Sequence, residues 1–161
     1  MNSFPFQKVP RALLLDGRPP VRMVMLYEDG EGGRRAKRFA DEVLHGDGAD
    51  SGGTASFWNF DVLEHADVRT TAARAAACAD FVVFAASGNR ALSPELDEWL
   101  GMWAWMIGKN NPALVALLEE GSGDGAEAIH SELLGIADRK GLEFVEFHFQ
   151  RSPQPCGTGR G

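Results

Sequence analysis

Three carboxylates crowd the stretch YEDGEGGRRAKR, where Glu28 and Asp29 precede Gly30, and Glu31 separates it from Gly32 and Gly33. Two chemistries use such residues. An acidic pair can hold Mg²⁺ through its oxygens, which makes Glu28 and Asp29 the one weak candidate for a metal site. A glycine-rich turn entering a helix can instead cradle a phosphate on its backbone N–H groups. Composition opposes the second use, because the turn has no Ser or Thr and its three carboxylates repel an anion. The dinucleotide pattern G-x-G-x-x-G also fails at its third glycine, where Arg35 stands. The expectation is therefore no flavin, dinucleotide or other cofactor, with the acidic pair capping the following turn.

Other chemistry-bearing residues are scattered. His45, His65, His130 and His148 fall at no spacing that would place a metal-binding pair on one helix or strand, and no cysteine accompanies them. Cys78 lies in an alanine-rich run and Cys156 in the terminal RSPQPCGTGRG, so a disulfide framework is not expected and a reducing compartment fits.

The elements that must position these residues alternate strand and helix. VRMVMLYE is apolar on both parities, as in a strand buried on both faces of a parallel sheet. GRRAKRFADEVL spaces Ala36, Phe39, Ala40 and Val43 by three and four. That predicts a helix whose Arg34, Arg35, Lys37, Arg38, Asp41 and Glu42 mostly face away from the core. After a Gly, Ser and Asp loop come a strand at FWNFDVL, an alanine-rich helix at DVRTTAARAAACA and a central strand at DFVVFAAS. A third helix opens with Ser93 as N-cap, Pro94 in its first turn, and Glu95, Asp97 and Glu98 where the helix dipole favours acids. PALVALLEE, a helix ending at Gly141, and the alternating edge strand LEFVEFHF complete the series. Five strands interleaved with four helices predict one α/β domain over residues 21–150, flanked by an arm (1–20) and a tail (151–161). The sheet expected is doubly wound and parallel.

This order resembles the flavodoxin-like folds, with strand order 2-1-3-4-5, and in particular response-regulator receiver domains of the CheY-like kind. The resemblance implies a ligand crevice at the carboxyl ends of strands one and three. Glu28, Asp29 and Gly30 would line one side, and Ser87, Gly88, Asn89 and Arg90 the other. It also implies that Glu28 and Asp29 match the acidic pair that holds Mg²⁺ in that family. The rest of the phosphotransfer pattern is missing. Strand three ends in Ala86 and Ser87 instead of an Asp, strand four ends LLEE without a Thr or Ser, and strand five ends at Phe149 and Gln150 without a Lys. The stretch DFVVFAASGNRALSPELDEWL is also similar to part of TIR domains and nucleoside deoxyribosyltransferases. That likeness implies an alternative function, an enzyme acting at a nucleoside or nucleotide N-glycosidic bond, with Glu98, or Glu95 in its place, as the catalytic carboxylate. Trp99 is followed by Leu100, so the Trp-Cys pair of TIR domains is absent.

The third helix is the most unusual. Leu96, Trp99, Leu100, Trp103 and Ile107 form one apolar stripe, and Met102, Trp105 and Met106 lie on another side. A helix apolar nearly all round needs a second surface to cover it. Either another chain, as in a homodimer, or the arm with Phe4, Phe6 and its ALLL run could provide one. The 161 residues carry a net charge of −7, which argues against nucleic acid and anionic lipid. The N-terminus lacks a signal-peptide core and no run reaches the ~20 apolar residues of a membrane span, so a cytoplasmic protein is expected. The function these observations favour is a pseudo-receiver working by protein contact, without phosphotransfer.

Overall fold

A computed structural model describes residues 21–45, 53–86, 93–107, 111–119 and 124–149. The arm, the tail and the crevice residues Ser87, Gly88, Asn89 and Arg90 lie outside the described residues. Five strands, β1 (Arg22–Tyr27), β2 (Thr54–Asn59), β3 (Phe81–Ala86), β4 (Ala113–Glu119) and β5 (Phe144–Phe149), form one sheet in the order β2-β1-β3-β4-β5. Every pairing is parallel, with Met25 opposite Val83, Val83 opposite Val115 and Val115 opposite Val145. The doubly wound order 2-1-3-4-5 is the one expected.

Helices α1 (Gly30–His45), α2 (Ala66–Ala77), α3 (Pro94–Ile107) and α4 (Asp124–Lys140) form the crossovers. Alternation along the strands sorts the core into two layers. Met23, Met25, Phe81, Val83, Val115 and Leu117 pack with Ala36, Phe39, Ala40 and Leu44 of α1. Val24, Leu26, Val82, Phe84, Leu114 and Ala116 pack with α2, α3 and α4 on the opposite side. The three central strands are buried on both faces, which explains why their sequences are continuously apolar. β5, at the edge, alternates half-buried and exposed residues.

Several boundaries differ from the sequence pattern, and β2 begins at Thr54, inside the stretch read as a loop. The FWNFDVL segment is strand only as far as Asn59, whose side chain accepts the Asp61 N–H at 2.8 Å and turns the chain into a 3₁₀-helix, Phe60–Glu64. The β-branched and aromatic composition concealed that Asx-type turn. α1 begins at Gly30, so Gly30–Gly33 form its first turn and not a loop. α3 begins as expected, with Ser93 Oγ accepting the Leu96 N–H at 3.1 Å. α4 ends against Gly141, whose φ of 68° suits the left-handed stop that only glycine adopts without strain.

The largest side chains gather under α3. Trp99 and Trp103 stack with ring centroids 5.6 Å apart, and Phe84 of β3 meets Trp99 edge-on at 5.8 Å. Neither indole N–H meets an acceptor among the described residues. The packing therefore rests on aromatic burial, ~150–250 Å² per ring, set against the penalty of two dry donors.

Candidate functional site

The carboxyl edge of the sheet is where a ligand would sit, and α1 closes one side of it. Asp29 Oδ1 accepts the Gly32 N–H at 2.8 Å while the Asp29 carbonyl accepts the Gly33 N–H at 2.9 Å. The Glu28 N–H donates to the Ala85 carbonyl at 3.0 Å, and Gly32 lies so near β3 that a Cβ there would come within 3.0 Å of the same oxygen. Glycine at position 32 is what allows this close approach. An N–H group that could have met a phosphate is thus already held by a carboxylate, and Asp29 acts as the N-cap of α1. Glu31 lies in the same turn, where a hydrogen bond from the Arg34 guanidinium holds its carboxyl below the usual value.

Glu28 turns to the other side of the edge. It is buried and lines a cavity of about 80 Å³ together with Phe60, Asp61, Glu64, Ser93, Leu96 and Ile129. Three carboxylates give the cavity a negative potential, and its volume lies far below the ~300–1,000 Å³ typical of small-molecule sites. No group of three His, Cys, Asp or Glu residues among those described is arranged to hold a metal ion. The helix carboxylates are placed elsewhere. The Glu98 side chain is 64% exposed and pairs with Arg69 of α2 at 3.3 Å, and Glu95 is half-buried.

The positions that carry phosphotransfer in the resemblance hold other residues. β3 closes on buried Ala86. β4 ends in Glu119, whose side chain faces Arg35 of α1 at 3.9 Å, with both nearly buried. Arg35 also lies 3.9 Å from Glu31, and its guanidinium sits 4.9 Å above the ring of Phe149, the last residue of β5. Arg35 is therefore not on the solvent side, where the helical pattern placed it. Its stem packs inward, and a carboxylate at the end of an otherwise apolar strand draws the charge in. Glu119 was the available signal, because an acid in that position needs a counter-charge.

Two histidines meet where spacing predicted none. Nε2 of His148 on β5 and Nε2 of His130 on α4 lie 2.9 and 3.1 Å from Oε1 of Glu146. Partial burial alone would raise the Glu146 carboxyl, but the hydrogen bonds from His148 and His130 outweigh it and hold the group below the usual value. The contact crosses from helix to strand, so no one-dimensional motif reveals it.

The remaining feature is the outer side of α3. Trp105 is 81% exposed, and Met102 and Met106 are half-buried beside it. From Trp99 to Ile107 the helix carries no charge. No helix among the described residues is long and apolar enough to cross a membrane. No protein-family model matches the chain, and no curated protein matches it.

Proposed function

We propose that this chain is a receiver-like α/β module that works by protein contact, through self-association of α3, and does not transfer phosphate. The observation that carries the reading is Trp105. An indole 81% exposed between two methionines, on an uncharged length of helix, is the composition of an interface centre. Gly101 adds to it. One turn before Trp105 on the same outer face, it costs the helix about 1 kcal/mol relative to Ala, yet a Cβ there would meet nothing within 4 Å. Internal packing gives no reason for that glycine, whereas close approach of a second helix does. Burying Trp105, Met102 and Met106 would remove a few hundred Å² of apolar surface. At ~25 cal/mol per Å² that is several kcal/mol before association entropy is subtracted.

The enzyme reading built on Glu98 is the weaker one, because that carboxylate is engaged with Arg69 at the surface and does not line the cavity. The phosphotransfer reading lacks an acceptor at Ala86, while Asp29 caps a helix and Glu119 faces Arg35. Amide chemical shifts followed through a dilution series test the proposal. Shifts that move with concentration at Met102, Trp105 and Met106, with the rest of the sheet unchanged, are expected; shifts confined to another face would contradict it. Incubation with acetyl phosphate should leave the intact mass unchanged, and a stable gain of one phosphoryl group would overturn the pseudo-receiver half of the reading.

A further inference from the structure

The exposed residues of α3 are Pro94, Asp97, Glu98, Gly101 and Trp105, and their spacing by three and four places them in one outward stripe. Charge and size are both graded along it. The acids stand at the N-terminal end, the glycine follows and the indole comes last, with no basic residue anywhere on the helix. Two copies that present the same face to each other are related by a two-fold axis. Their helices then run either parallel or antiparallel. Parallel pairing sets every residue against its own copy, so Glu98 opposes Glu98, and two indoles compete for one space while the open ground at Gly101 meets more open ground. Antiparallel pairing centred on the level of Trp103 brings Trp105 of each copy opposite Gly101 of the other, because the two positions lie equally far from that level. It also sets the two Glu98 carboxylates about 15 Å apart along the helices, beyond the ~8 Å screening length of physiological salt.

We infer, resting on the reading of α3 as a self-association surface, that two copies pair with their α3 helices antiparallel, the indole of Trp105 in each seated over Gly101 of the other. Shape selects the occupant. A stripe that runs from small to large is complemented by its own reverse, which is what a second copy supplies. A Cβ at position 101 would meet nothing within 4 Å in its own chain, so the space over the glycine is open to a side chain from outside. Met102 and Met106, half-buried beside Trp105, are flexible enough to close around the incoming indole. Glu98, held by Arg69 at 3.3 Å, falls at the rim of the contact, where a charge stays in water. Each copy gives its one exposed indole and its one glycine to the same partner, so the contact is closed and assembly stops at two.

A spin label tests the orientation in the full-length chain. Glu98→Cys, or Asp97→Cys should the first variant fold poorly, is labelled in a background of Cys78→Ser and Cys156→Ser and mixed with an isotope-labelled copy that carries no spin. Expected is loss of amide signal in the spin-free copy at Trp105, Met106 and Ile107, about 10 Å across the contact, restored on reducing the label. Glu95 and Leu96 of that copy, about 20 Å from the label in this arrangement, should largely keep their signals. Loss at Glu95 and Leu96 with Ile107 retained would overturn the antiparallel pairing while leaving α3 as the contact surface. Light scattering on the same sample separates the remaining failures. A dimeric mass with no loss on α3 would overturn the pairing together with the choice of face, and a monomeric mass would overturn self-association itself.

Discussion

Trp103 and Trp105 stand two residues apart on α3, yet the first has no exposed surface and the second is 81% exposed. Two residues are ~200° of helical turn, enough to take one indole into a stack with Trp99 against Phe84 and leave the other facing out. The same residue type thus does two jobs within one turn. Inward it fills the core, and outward it offers a surface. Hydrophobicity alone does not separate these jobs, and only the direction of the sheet does.

The contrast is broken most severely at its buried member. Trp103→Ala leaves a large cavity under β3 and should lower unfolding stability by about 3–5 kcal/mol, measured by urea titration. A loss below ~1 kcal/mol would mean that the core under α3 is not packed as described. A smaller effect is expected where the acidic pair divides in a similar way, with Glu28 in a cavity and Asp29 on a helix terminus. Asp29→Ala removes the cap of α1 and should cost about 1 kcal/mol in the same titration. On the outer face the sign reverses. Gly101→Ala should stabilise the monomer by about 0.5–1 kcal/mol while weakening association, read as a higher melting temperature at low concentration together with a higher dimer dissociation constant. Tighter association would show that the partner does not approach at that turn.

The smallest effect lies at the sheet edge. The Glu146 carboxyl titrates below its ordinary value of 4.5 in the folded chain. Its contribution to stability is therefore complete above that value and lost as pH falls through the lower folded value. Glu146→Gln should flatten the fall in stability between about pH 5 and pH 3 relative to the unmodified chain. Identical slopes would mean that the two histidines do not favour the charged carboxylate. The group is over a third exposed, so solvent screening keeps the effect small.

The strands, the helices and the α3 stripe could be read from the sequence because each rests on local periodicity, whereas the sheet order was implied by the resemblance to flavodoxin-like folds. Continuous apolar runs occur in strands buried on both sides, and the Ser93-Pro94-Glu95 start of α3 is a chemical signal for a helix N-terminus. What could not be read depends on contacts across elements. The burial of Arg35 is decided by Glu119, 84 positions later in the chain, and the His130–Glu146–His148 cluster by the docking of α4 on β5. The true start of α1 was hidden because glycines favour loops by propensity, while Asp29 and the close approach to Ala85 impose helix on them.

The mass of the protein in solution tests α3 as the contact surface most directly. Static light scattering at ~100 µM should give twice the 17.4 kDa of one chain, and Trp105→Glu, with its circular dichroism unchanged, should give the mass of a single chain. At that concentration a dimer with a dissociation constant of ~10 µM is mostly formed. A monomeric mass for the unmodified protein, or a dimer that survives Trp105→Glu, would contradict the assignment of α3 as the contact surface.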